Sequence, residues 1–184
     1  MNPPHLKIAS VAARVALNLF VGFNIVVAQT EERSPNWQAL HFLIGDWIGE
    51  GTGTPGQGEG GFTYSLDLQD KIIIRKNFAS YPETKDKPAY RHDDLMIVYQ
   101  EPGPTIKADY FDNEGHVIHY GVQILKDSMS VIFTSAPGAD EPRYRLTNTK
   151  LGDDGLTITF EIASPGKPET FQQYIKATAR RKKG

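Results

Sequence analysis

The chain has 184 residues, 23% of them charged and 39% apolar, which is room for one domain with a sizeable core and too little for two. A formal charge of −2 leaves no basic footprint for nucleic acid, so no nucleic-acid partner is expected. Cysteine is absent, which excludes disulfides, thiolate metal sites and cysteine nucleophiles together.

Residues 1–28 have the composition of a secretory signal peptide. Lys7 and Arg14 stand without an acid, VALNLFVGFNIVVA supplies an apolar run, and Val26-Val27-Ala28 offers small residues for cleavage before Gln29. The run is short for a membrane span and is broken by Asn18 and Asn24, so no stable membrane insertion is expected after cleavage. A periplasmic or secreted location follows, and bacterial export is the setting in which a chain without cysteine is least unusual. Residues 29–35 read as a flexible lead, 36–181 as the folded domain, and 182–184 as a basic tail.

Ser34-Pro35 is a helix-start signal, serine capping and proline at the first helical position. Trp37, Leu40, His41 and Ile44 then fall at helical spacing, which predicts one short amphipathic helix ending at Gly45. Beyond it, period-two runs alternate with glycine, proline and aspartate punctuation. Counting from Trp47, ten such runs can be placed, the later ones near 62–68, 71–79, 94–100, 105–111, 116–125, 129–135, 143–149, 155–162 and 170–180. The fold class is therefore all-β, a ten-stranded antiparallel up-and-down β-barrel with a short N-terminal helix. The stretch 81–92, with two prolines, reads as its longest loop.

The turn DNEG at 112–115 fixes a register. With Gly115 in the left-handed position of a three-residue hairpin loop, Asp112 faces His116. Tyr110 then meets Ile118, Ala108 meets Tyr120 and Ile106 meets Val122, one apolar face; Asp109 meets His119 and Lys107 meets Gly121 on the other. A slip of one residue would scramble both faces.

Familiar catalytic and metal patterns fail on context. GTGTPG at 51–56 matches G-x-G-x-x-G but is followed by QGEGG, which cannot open the helix that a dinucleotide fingerprint requires. His116 and His119 lie three apart on a strand and point to opposite faces, so they cannot share a metal; His119 with Asp109 makes a surface pair instead. His92-Asp93-Asp94 stands at a loop-to-strand junction without an evident third partner. Glu50 and Glu161 are lone carboxylates on strands, and the run Arg180-Arg181-Lys182-Lys183 is a solvated end. No metal site and no catalytic set emerges.

A helix leading into Gly45-Asp46-Trp47, with an arginine near the end of the last strand, resembles the calycin superfamily that includes the lipocalins. That resemblance implies a tryptophan plugging the barrel floor under a last-strand arginine, here Trp47 and Arg180, an arrangement in which a guanidinium gains cation–π attraction from a desolvated indole. FLIGDWIGEGTG and FQQYIKATARR are similar to the opening and closing strands of the nitrobindin-like branch, and the whole resembles exported lipocalin-like proteins without an assigned ligand. Residues 47, 49, 51 and 53 share one strand face, so three glycines leave that face bare beyond the tryptophan. Where nitrobindins place the histidine that ligates haem iron, this chain has Tyr174. Tyrosinate ligates ferric haem, but a neutral phenol is a poor ligand, so no cofactor is expected and haem stands as the alternative. Strand ten admits two phases. Alternation turns Phe171, Ile175, Ala177 and Ala179 inward, whereas the resemblance turns Tyr174, Lys176, Thr178 and Arg180 inward; the second is preferred because Arg180 then reaches Trp47.

The expected function is a small-molecule-binding barrel that holds an apolar or amphipathic ligand, aromatic ligands included, in a cavity lined by Tyr64, Tyr110, Tyr120, Tyr144 and Tyr174. The alternatives are a haem-binding nitrobindin-like protein, or an enzyme working at the barrel mouth.

Overall fold

A computed structural model describes residues 37–50, 59–126, 129–138 and 140–183. The signal peptide, the flexible lead, the Ser34-Pro35 start signal and the glycines at 51 and 53 lie outside the described residues.

Ten strands follow one short helix: β1 (Gly45–Glu50), β2 (Glu59–Asp67), β3 (Ile72–Tyr81), β4 (Tyr90–Gln100), β5 (Ile106–Asp112), β6 (Val117–Leu125), β7 (Ser130–Ser135), β8 (Arg143–Leu151), β9 (Gly155–Ala163) and β10 (Phe171–Arg181). Each pairs antiparallel with its neighbour in sequence, and β1 closes the ring by pairing with β10. Every strand therefore has a partner on each side, which is how an up-and-down barrel limits edge-to-edge aggregation. The DNEG register holds: Tyr110 faces Ile118, Ala108 faces Tyr120, Asp109 faces His119, and Gly115 sits at φ +92°. The anticipated surface pair forms as well, with His119 Nδ1 2.6 Å from Asp109.

The helix differs in kind from the expectation. It is a 3₁₀ helix, Trp37–Leu43, and its buried residues are Trp37, Leu40 and Leu43, three apart. A 3₁₀ helix repeats every three residues, so Leu43 takes the inward place and His41 is exposed. Trp37 donates its indole N–H to the Asp70 carbonyl at 2.8 Å, tying this segment to the β2–β3 turn. Above it Ile73, Met96, Val98, Val131, Phe133, Leu146 and Leu156 are buried together. The lower half of the barrel is a filled core.

Two strand boundaries and one strand phase also differ. β3 runs to Tyr81 and β4 starts at Tyr90, so the proline-bearing connection is only 82–89. In β10 a bulge lies between Gln173 and Ile175. Beyond it Ile175, Ala177 and Ala179 pair with the inward Phe160, Ile158 and Leu156 of β9, so simple alternation wins over the preferred phase. The cause is hydrophobic: Ile and Ala belong inside, and turning Lys176 inward would bury an unpaired charge. Before the bulge the phase is reversed, and Phe171 lies outside under the guanidinium of Arg145, 4.1 Å from its ring centroid.

Candidate functional site

The floor takes a different arginine from the one expected. Trp47 is buried and donates its indole N–H to the Leu43 carbonyl at 2.7 Å. Arg181, which pairs in register with Trp47, lies over its ring at 4.3 Å and donates to the carbonyls of Ile44 (2.6 Å) and Phe42 (3.2 Å). Arg180, one residue away and therefore on the opposite face, forms an exposed ion pair with Glu50 at 3.2 Å. The pairing of tryptophan and arginine stands; Arg180 is replaced by Arg181.

Above the filled half, the inner face turns polar. Alternation along β3 carries Ile73, Arg75, Asn77 and Ala79 inward, and along β4 it carries Val98, Met96, Asp94 and His92. Arg75 and Asp94 form an ion pair, and Asn77 donates to the second oxygen of Asp94 at 2.6 Å. Burial works against the charge on Asp94, but the Arg75 guanidinium and the hydrogen bonds from His92 and Asn77 outweigh it and hold the carboxyl below its usual range. His92 stands 3.4 Å from the same carboxylate and 3.0 Å from Glu114, on the DNEG turn. Hydrogen bonding to Asp94, helped by Glu114, raises the imidazole to about 9, so it is charged at neutral pH. With both ring nitrogens protonated, Nε2 also faces the Tyr110 hydroxyl at 3.2 Å, and Tyr110 donates onward to Asp112 at 3.2 Å. Asp112 takes His116 Nδ1 at 2.8 Å. His92 therefore has the partners that the sequence did not reveal.

The five tyrosines separate into groups. Tyr64, fully buried on β2, accepts a hydrogen bond from Asn148 of β8 at 3.1 Å, a strut across the lumen. Burial pushes its phenol up to about 12. Tyr110 and Tyr120 meet edge to face at 6.5 Å, and burial drives both phenols upward, so all three hydroxyls keep their protons and can donate. Tyr144 stacks on Phe160 at 6.0 Å, and the same Phe160 meets Tyr174 edge-on at 6.3 Å. Tyr174 is the bulged residue and is 53% exposed, at the rim rather than in the wall. Tyr81 and Tyr90, stacked at 6.0 Å at the β3 and β4 ends, also belong to this mouth and carried no distinguishing signal in the sequence.

Opposite this aromatic and polar wall the inner face is bare. Gly49 pairs with Ala179 and Gly60 with Ala79, all in phase with the inward Trp47 and Asn77. Part of the reason is packing: a Cβ on Gly49 would sit 3.3 Å from the Gly60 carbonyl, so β1 and β2 approach closely only because these positions lack side chains. A separate groove of about 880 Å³ runs over β1–β4 among Asp46, Thr63, Lys76, Phe78, Arg91 and Lys182. Most of those side chains point outward and none of the five tyrosines lines it.

Arg75, Asn77, His92, Asp94 and Asn148 are the site residues that sequence reasoning missed. Their signal was phase. Arg75 is two residues from Ile73, and Asp94 two from Met96, so each occupies a core position in its alternating run. Recognising them needed the β3–β4 register, which no short turn announces.

No profile of a known protein family matches the chain, and no curated protein sequence does. Among solved structures, the chain resembles Rv2717c from M. tuberculosis, with a TM-score of 0.55 and 14% identity over 82% of this chain and 99% of that one. At that identity the likeness shows a common barrel fold.

Tyr174 is the residue the resemblance would offer to iron. Of the cations of its strand, Lys176 and Arg180 lie on the outer face and Arg181 is held over Trp47, and among the described residues no base hydrogen-bonds its hydroxyl. Nor do the described residues contain a group of three histidine or carboxylate side chains placed to hold a metal ion.

Proposed function

We propose that this chain is an exported carrier or receptor that holds a small amphipathic molecule in the upper half of its barrel. The observation behind this reading is the contrast across the lumen. A wall of small residues at Gly49, Gly60 and Ala79 faces one carrying Tyr110, Tyr120, Tyr144 and Phe160, above a packed floor. Apolar bodies fit aromatic walls, while a few fixed polar groups orient a head group. Tyr64 serves mainly as a strut below this space, and Tyr174 as part of its rim.

Catalysis at the mouth has less support. Asp94, Asp112 and Glu114 are all held below the usual carboxylate range, and His92 is held charged. Groups so fixed orient a ligand well and abstract protons poorly. Native mass spectrometry of protein purified from its own host tests the carrier reading: a reproducible adduct released on denaturation supports it, and a bare mass over repeated preparations overturns it. Haemin titration is expected to give no tight stoichiometric complex. A Soret-shifted complex lost in Tyr174→Phe would install haem instead.

A further inference from the structure

Among the described residues, no side-chain nitrogen or oxygen is both sealed from solvent and unbonded. Tyr120 is 3% exposed and its hydroxyl has no hydrogen-bond partner among the described residues, so that hydroxyl opens onto space that a water-sized molecule reaches. Arg75 is 9% exposed; Asp94 engages its Nη1, Phe62 lies under its guanidinium at 5.4 Å, and its other N–H groups meet no acceptor among the described residues. Arg75 also lies within electrostatic reach of the Tyr64, Tyr110 and Tyr120 hydroxyls, so these groups face one region. Of the acceptors, Asp94 takes Arg75, Asn77 and His92, Asp112 takes Tyr110 and His116, and the Tyr64 oxygen takes Asn148, while the amide oxygens of Asn77 and Asn148 carry no hydrogen bond among the described residues. The open donors are the remaining N–H groups of Arg75 and the Tyr120 hydroxyl.

Charge alone does not select the head group: the cations Arg75 and His92 stand beside the carboxylates of Asp94, Glu114 and Asp112. Asp94 is shared between two cations, Arg75 and His92, while Glu114 offsets His92 only from its outer nitrogen. Asp112 is bonded on the far side by His116.

We propose that the head group taken by this interior is a carboxylate, received by the unused N–H groups of Arg75 and by the Tyr120 hydroxyl. This deepens the carrier reading and rests on it. A guanidinium presents its donors in a planar fork that matches a carboxylate, and a desolvated fork already fixed by Asp94 and Phe62 loses little freedom on binding.

The test uses two matched probe pairs in calorimetric titration: octanoate with octanamide, and naphthalene-2-carboxylate with naphthalene-2-carboxamide. Wild-type protein is expected to bind each acid about tenfold more tightly than its amide, as for one charge-assisted hydrogen bond. Tyr120→Phe, which keeps the ring, is expected to weaken the acids about fivefold. Arg75→Gln would strand Asp94, so it is combined with Asp94→Asn, and that double variant is expected to lose the preference for acid over amide. Equal affinity for acid and amide in wild type overturns the carboxylate assignment while leaving the carrier reading in place. Failure of all four probes to bind overturns both. Acid binding indifferent to Tyr120→Phe removes Tyr120 from the site and overturns the assignment as stated.

Discussion

Two adjacent arginines show how one residue of phase decides energetics. Arg181 loses its aqueous surroundings over Trp47 and recovers the cost through the ring and two backbone carbonyls. Arg181→Ala is expected to destabilise by about 2–4 kcal/mol, and Trp47→Ala by about 3–5 as a core truncation. Arg180→Ala, removing a half-exposed ion pair, should stay within about 0.5 kcal/mol. Urea denaturation of the three variants checks the order, and equal effects of the two arginines would undo the assignment. His92 makes a prediction in pH. Its folded value of about 9 lies above the 6.5 of an unconstrained histidine, so folding favours the protonated form. The stabilisation is complete below about 6.5 and is lost as pH rises through about 9. Urea midpoints for wild type should therefore fall across that window relative to His92→Gln, which has no imidazole to titrate.

At the scale of elements, the first two strands depend on what they lack. A Cβ on Gly61 would lie 2.8 Å from the Trp47 carbonyl oxygen, and the backbone of β1 cannot withdraw without breaking its ladder to β2. Gly121, in β6, has its nearest such atom, the Thr134 oxygen, at 3.8 Å. Gly61→Ala is thus expected to cost about 1–3 kcal/mol, whereas Gly121→Ala should be near neutral or mildly stabilising. Thermal melts of the pair make the comparison; a tolerated Gly61→Ala would mean that β1 and β2 are less closely seated. The DNEG hairpin works the other way, through what it carries. Its turn brings Glu114 to both His92 and Tyr90 and Asn113 to the backbone of β4, so β5–β6 is pinned to β4 at the mouth.

For the molecule as a whole, the barrel is divided at the Tyr64–Asn148 strut. Below it lies a close-packed apolar core closed by the 3₁₀ segment; above it lie the polar groups and the bare wall. Stability and the proposed binding are therefore expected to respond separately, since the floor variants and the Tyr120 hydroxyl lie in different halves. Export belongs to this scale too. Edman sequencing of protein recovered from outside the cytoplasm is expected to begin at or near Gln29, and a start at Met1 on exported protein would count against a cleaved signal peptide.

Local patterns in the chain determined the all-β class, the ten strands and the β5–β6 register, because period-two alternation and the Asn-Glu-Gly turn are written in neighbouring residues. The same holds for the Asp109–His119 pair, which follows from that register alone. Tertiary structure decided the rest. Lys176 could not face the core once Ile175 and Ala177 competed for it, so the bulge at Tyr174 reset the phase and handed Trp47 to Arg181. His92 looked isolated because Glu114 and Tyr110 are distant in sequence and arrive only through two successive hairpins. Nothing in the local sequence marks Arg75 and Asp94 as a buried pair, because they stand on separate strands joined only through the β3–β4 register. A charge in an alternating run is legible as buried only when the opposite charge is known to stand across from it, and that knowledge belongs to the closed barrel.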